Sequence, residues 1–172
     1  MEQHSEYDRR FYTPSDGGAH ESAHRMLADL RRVVPFDSMV DFGCGIGRWL
    51  ATARALGAND LLGIEGDWLI EDLIVDPAIP ILRRDLEAPV ALDRRFDLAI
   101  SLEVAEHLSP ARARSFVADI CRAADVVLFG AAIPHQGGAH HVNEQWQSYW
   151  ARLFAENDYL TFDFLRDSAW PA

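Results

Sequence analysis

Short apolar runs that alternate with helix-patterned stretches constrain this chain more than any other feature. The runs lie at 38–42 (SMVDF), 60–64 (DLLGI), 81–84, 96–102 (FDLAISL), 125–129 (DVVLF) and 160–165, and each reads as a strand. Between them, 20–34 carries Met26, Leu27, Leu30, Val33 and Val34 at helical spacing and is ended by Pro35. A helix is predicted over 48–56, closed by Gly57, and a short one over 68–75, ended by Asp76 and Pro77. Ser109 and Pro110 read as the N-cap and first position of a helix bearing Phe116, Val117 and Ile120. Asn143 reads as the cap of another, bearing Trp146, Tyr149, Trp150, Leu153 and Phe154. This alternation implies an α/β fold, a doubly wound, mostly parallel sheet with helices on both faces. Such a sheet places its ligands at the carboxyl ends of the strands.

The 172 residues suit one domain, 1–172, with an N-terminal segment and helix over 1–35 and a core over 36–172. Hydrophobic residues make up 49% and charged residues 25%, so the chain can bury a core and is not a disordered polymer. The net charge is −11 and no basic run exceeds an arginine pair, which argues against duplex nucleic acid as a partner. The two cysteines, Cys44 and Cys121, have neither zinc-ligand spacing nor a disulfide framework, and a reducing, cytoplasmic setting is expected. The longest apolar run, 126–134, is too short to span a bilayer, so no membrane partner is expected.

The residues that carry chemistry cluster just after predicted strands. Gly43, Gly45 and Gly47 alternate between a strand and a helix, with Asp41 before them and Cys44 among them. Glycine permits a tight turn and a close ligand approach, and the amides of the following helix face that ligand. A nicotinamide-dinucleotide fingerprint wants a small residue at its sixth position; counting from Gly43 this is Arg48, and from Gly45 it is Leu50. Glu65, followed by Gly66, ends the second strand, where a carboxylate can accept both hydroxyls of a ribose. Asp85 and Leu86 follow the third strand. After the fourth, Ser101 leads into Glu103, Glu106 and His107, which share one face if the turn is helical. A histidine titrating near neutrality can take a proton from a substrate hydroxyl. The long loop after the fifth strand carries His135, His140 and His141 and runs on as His-Val-Asn-Glu-Gln-Trp.

Taken in order, Asp-x-Gly-x-Gly-x-Gly, the acid after strand two, the Arg84-Asp85-Leu86 turn and Glu-x-x-Glu-His resemble the class I S-adenosylmethionine-dependent methyltransferases, over about 7–165. The His-Val-Asn-Glu-Gln-Trp run resembles one bacterial small-molecule branch. The resemblance implies a Rossmann-like fold and S-adenosylmethionine as cofactor, with S-adenosylhomocysteine as product. It implies Asp41, Gly43, Cys44, Gly45, Glu65, Gly66, Asp85, Leu86 and Ser101 as the cofactor site, Asp85 receiving the adenine amino group. Methyl transfer to an oxygen, less readily to a nitrogen, of a small-molecule acceptor is expected. His107 is the expected base, Glu103 orients it, and His141 lies near the acceptor, with no metal assigned.

Two alternatives stay open. Glu103, Glu106, His107 and His141 also resemble the metal set of the small-RNA 3′-terminal 2′-O-methyltransferases, which implies a metal-dependent RNA methyltransferase. A cofactor-binding partner protein without catalysis is the other. Tyr7, Phe11 and Tyr12 are expected in a lid over the cofactor. The family usually ends with a seventh strand lying antiparallel between the fifth and sixth. The seven residues after Leu165 are too few and too polar for it, and Pro171 could not donate to a central ladder. A six-stranded sheet is therefore expected, its fifth-strand edge covered by another segment or by a second copy in a homodimer.

Overall fold

The computed structural model describes residues 16–163 and 165, so Tyr7, Phe11 and Tyr12 lie outside the described residues. The order of elements is α1 (Asp16–Val33), β1 (Ser38–Phe42), α2 (Arg48–Ala55), β2 (Asp60–Glu65), β3 (Ile81–Arg83), β4 (Leu98–Leu102), α3 (Ala113–Ala123), β5 (Val127–Gly130) and α4 (Gln147–Ala155). All strands run parallel, in the spatial order β3-β2-β1-β4-β5. The direction of winding reverses between β1 and β4, and there the carboxyl ends of the strands part into a crevice.

Period-two alternation divides the core between the two faces of the sheet. Met39, Leu61, Leu98 and Ile100 pack with Leu27 and Leu30 of α1 and Leu50 and Ala53 of α2. Their neighbours Val40, Phe42, Ile64 and Ala99 pack on the opposite face with Phe116, Val117 and Ile120 of α3 and Trp150, Leu153 and Phe154 of α4. At the amino ends of the strands, the Asp97 carboxylate accepts the Asp37 and Ser38 amides, both at 2.9 Å, and sets β1 beside β4.

Three expectations about local structure are corrected. The stretch 68–75 forms only a single 3₁₀ turn, Glu71–Leu73. Ser109 does not cap a helix: its amide and hydroxyl bond the Glu87 carboxylate at 2.5 and 3.0 Å, and α3 starts four residues later. Asn143 does not cap α4 either, because its side chain is spent on Ala105 and Gln145. In both cases a tertiary partner outbids the local cap.

The expected sixth strand is absent among the described residues. Residues 160–163 and 165 join no ladder, and Leu160 and Phe162 are 81% and 77% exposed. Alternation of apolar residues marks a face, but a strand exists only where its amides and carbonyls meet another strand. The sheet described has five strands, and the outer edge of β5 has no strand partner among the described residues.

One buried ion pair ties the loop after β3 to α3. Arg112 and Asp119, 4% and 1% exposed at their side chains, pair with each other. Arg112 also donates to the Leu86 carbonyl at 2.8 Å and the Ala88 carbonyl at 3.0 Å, while Asp119 accepts the Val90 amide at 2.9 Å. Removing one partner strands the other in the core. Asp119→Ala is expected to cost about 3–5 kcal/mol of stability, read from the midpoint shift in urea unfolding. A loss below about 1 kcal/mol would show that the pair is not what holds this loop.

Candidate functional site

The glycine turn folds as its sequence requires. Gly43, Gly45 and Gly47 all have positive φ, at 83°, 52° and 81°. The Gly43 amide bonds the Ile64 carbonyl at 2.8 Å, and the Gly45 amide bonds a Glu65 carboxylate oxygen at 2.7 Å. The other Glu65 oxygen accepts the Gly66 amide at 2.8 Å. Helix α2 then begins behind Gly47 with no side-chain cap hydrogen bond.

Glu65 is 6% exposed, and burial raises its carboxyl above the ordinary range, against the pull of the Gly66, Gly45 and Trp68 hydrogen bonds. Trp68 is a residue that sequence reasoning missed. A Cβ on Gly66 would lie 2.3 Å from its indole ring, so Gly66 is the floor on which that ring rests. Arg83 fastens the same turn by donating to the Gly66 and Leu69 carbonyls at 3.0 and 3.1 Å.

The other expected cofactor residues divide by position. Asp85 is exposed and accepts the Glu87 amide at 2.9 Å, whereas Leu86 is buried in the core beneath α3. The Cys44 side chain also faces the core, lying against Gly63 and Leu50, and burial pushes its thiol far up. Of these two residues the crevice receives backbone, not side chain. Ser101 is fully buried and its hydroxyl has no partner among the described residues.

The turn after β4 lies directly on the glycine turn. A Cβ on Gly43 would come within 2.3 Å of a Val104 methyl, a contact that only glycine permits. The expected helical register of Glu103, Glu106 and His107 is not formed. The segment is an irregular turn, with Glu103 in the left-handed region at φ 56° and its amide bonded to the Gly130 carbonyl at 3.0 Å. Strain of this kind collects at working sites.

The histidine loop docks onto this turn through its backbone. The Val142 and Asn143 amides both bond the Glu106 carbonyl, at 2.9 and 3.0 Å, and the Asn143 side chain reaches the Ala105 carbonyl at 3.4 Å. Docking sets His141 edge-on to His107, with ring centroids 4.9 Å apart. Glu144, a second residue missed from sequence, bonds His141 Nδ1 at 3.0 Å and accepts the His135 and Gly137 amides, both at 2.9 Å. Its spacing three after His141 is the signal that could have found it.

Glu103, Glu106, His107 and His141 therefore do converge, as expected from sequence. Glu106 is fully buried, and no N–H or hydroxyl donor among the described residues reaches its carboxylate oxygens. Burial, the Glu106 charge and a carboxyl–carboxyl hydrogen bond with Glu106 raise the Glu103 carboxyl. Burial and the neighbouring His141 lower the His107 imidazole, so it stays neutral at pH 7 with a lone pair to offer. The ligand atoms of Glu106, His107 and His141 lie within 4.8 Å of one another, close enough to hold a metal ion.

With this geometry in view, the likeness to solved structures is informative. Magnesium protoporphyrin IX methyltransferase (ChlM) from Synechocystis PCC 6803, with bound S-adenosylhomocysteine, has 18% identity and a TM-score of 0.62, over 83% of this chain and 74% of that one. CalS10, an amino pentose methyltransferase from Micromonospora echinaspora with bound S-adenosylmethionine, has 22% identity and a TM-score of 0.60, over 75% and 56%. DesVI from Streptomyces venezuelae has 20% identity and a TM-score of 0.60, over 75% and 58%. No family model and no curated protein matches the sequence. The chain has the fold of the class I S-adenosylmethionine-dependent methyltransferases and spans somewhat over half the length of CalS10 and DesVI.

Asp41 gives this site a signature in stability. It is 3% exposed, and burial, with the Glu65 charge second, raises its carboxyl well above the ordinary value. The folded chain then binds that proton more tightly than the unfolded chain. Stability is full below the ordinary carboxylate range and falls as pH rises through the raised value. Asp41→Asn is expected to melt above the parent at about pH 8, with the gap closing toward about pH 4. Thermal unfolding across that range checks this, and a variant that melts below the parent at the upper end would show that the ionised form is the stabilising one.

Proposed function

We propose that this chain transfers the methyl group of S-adenosylmethionine to a hydroxyl oxygen of a small-molecule acceptor. The observation that carries the reading is the Glu103, Glu106, His107 and His141 cluster, packed through Val104 onto the glycine turn. A hydroxyl must lose its proton as it is methylated. Two imidazoles beside two carboxylates are suited to that, whereas a neutral amine would need no such group.

The fit of the cofactor rests on the donor set. Glu65 and Asp41 lie at the ends of β2 and β1, and the buried Ser101 hydroxyl lacks a partner among the described residues. Asp85 stands beyond the next strand end for the adenine amino group. A carboxylate offers about four acceptor positions. Three at Glu65 are taken by Gly45, Gly66 and Trp68, so a ribose diol needs the place that the Trp68 side chain holds. The bound cofactor supplies an electrophilic methyl on a sulfonium. The chain's residues align the acceptor with that methyl and accept its proton.

The acceptor is proposed to be small because the chain carries a net charge of −11 and no basic run longer than an arginine pair, which disfavours a polynucleotide. No helix among the described residues is long and apolar enough to cross a membrane.

Two substitutions separate the halves of the reading. Glu65→Ala is expected to weaken S-adenosylhomocysteine binding by about 1–3 kcal/mol in calorimetry. His107→Ala is expected to leave that binding intact and to lower turnover by about 10²–10⁴ with a panel of hydroxylated acceptors. Tighter binding of NAD than of S-adenosylhomocysteine would overturn the cofactor assignment, and near-normal turnover in the His107 variant would remove it from acceptor activation.

A further inference from the structure

We propose that Glu106, His107 and His141 hold a divalent transition-metal ion, with Glu144 as the positioning residue that aims His141 at it. The proposal rests on the methyl-transfer reading and states how the cluster would activate the acceptor, with the two histidines serving as ligands.

The argument begins with atoms that lack partners. Glu106 is fully buried, and no N–H or hydroxyl donor among the described residues reaches its oxygens; the neighbouring Glu103 carboxyl can bond it only by sharing a proton, and the buried Nδ1 of His107 has no partner among those residues. Buried polar groups are almost always satisfied, because leaving one bare forfeits its hydration with no return. One potential ligand atom from each of Glu106, His107 and His141 lies within 4.8 Å of the others. Ionised carboxylates and imidazole lone pairs cannot satisfy one another. What a set of converging lone pairs lacks is a cation.

The tautomers agree with this. The His107 ring bonds the His140 backbone through its other nitrogen, leaving Nδ1 with its lone pair. The Glu144 carboxylate can only accept, so the 3.0 Å bond fixes His141 Nδ1 as its donor. A carboxylate behind a histidine is the usual outer support of a metal-bound imidazole. Glu144 is itself fixed by the His135 and Gly137 amides, so the support is rigid.

The spacing also suits an ion. Bonds of about 2.1 Å place neighbouring ligands about 3 Å apart and opposite ones about 4.2 Å apart, so modest side-chain adjustment closes the set. Two imidazoles and one carboxylate favour manganese, iron, cobalt or zinc over the all-oxygen preference of magnesium or calcium. Three protein ligands leave open positions beside exposed Glu103. An acceptor hydroxyl bound there would give its proton to the Glu103 carboxylate. Its oxygen lone pair would form the new C–O bond while the C–S pair returns to sulfur as the thioether.

The test uses the full chain, stripped with chelator and titrated with Mn²⁺, binding being read from loss of the free Mn²⁺ paramagnetic resonance signal and from calorimetry. One equivalent is expected to bind in the absence of any acceptor. His141→Ala and Glu106→Gln are expected to abolish binding, and Glu144→Gln to weaken it about 10–100-fold. Each variant is checked for cooperative melting and for S-adenosylhomocysteine binding, so that loss of metal is not loss of fold. Co²⁺ and Zn²⁺ serve as second probes. No binding of any of the three ions by the folded chain would overturn the proposal, as would unchanged affinity in the His141 or Glu106 variant. A chain that melts higher with Glu106→Gln and binds no ion would show instead that Glu103 and Glu106 share a proton. Methyl transfer indifferent to chelator would sink the metal and leave the methyl-transfer reading standing. Metal binding without methyl transfer to any acceptor would do the reverse.

Discussion

The contact between Gly43 and Val104 is where the structure is least free to change. The two residues belong to turns that follow β1 and β4, the adjacent strands at which the winding of the sheet reverses. At that reversal the helices leave toward opposite faces, and the two turns lie side by side. A side chain at Gly43 would have to displace a Val104 methyl and would also hold a left-handed backbone. Because neither turn can move without the other, the glycine turn and the Glu103–His107 turn keep a fixed relation. That relation holds the glycine turn against the turn that presents the imidazoles and carboxylates.

Buried acid is the energetic theme of this edge of the sheet. Asp41, Glu65 and Glu106 are all nearly or fully buried, in a chain that already carries a charge of −11. Desolvation raises Asp41 and Glu65, and only Glu65 is recorded with hydrogen bonds that offset it. The contrast with Asp119 is instructive. Equally buried, it is met by Arg112, Arg122 and the Val90 amide, which is how a carboxylate is kept when its role is structural. Asp41 and Glu106 have no such basic partner among the described residues.

The residues of His-Val-Asn-Glu-Gln-Trp take separate tasks in three dimensions. The Val142 and Asn143 amides dock the loop on the Glu106 carbonyl, Gln145 steadies the Asn143 side chain at 3.1 Å, and Glu144 holds His141. The run reads as a motif because each residue serves the placement of one ring. Three non-glycine residues here, Glu103, His135 and His140, adopt positive φ, so the loop and turn keep their shape against local preference.

Much of this was legible in the linear sequence. Five strands and four of the helices follow from apolar spacing, since periodicity reports which face is covered. The glycine spacing, the acid after β2 and the Glu-x-x-Glu-His turn follow from residue type, because few residues can turn a chain tightly or accept a diol. What failed did so for one reason. Ser109 and Asn143 looked like caps and 160–165 like a strand, but a cap or a strand is defined by its partner. Glu87, Ala105 and the edge of β5 come from distant parts of the chain. The same holds for the site. The sequence by itself determined which chemical groups stand at the strand ends. Only the tertiary structure decided that Cys44 and Leu86 turn inward, that Trp68 shelters Glu65, and that Glu144 holds His141 beside His107. Those outcomes rest on through-space packing and desolvation, which no local spacing encodes.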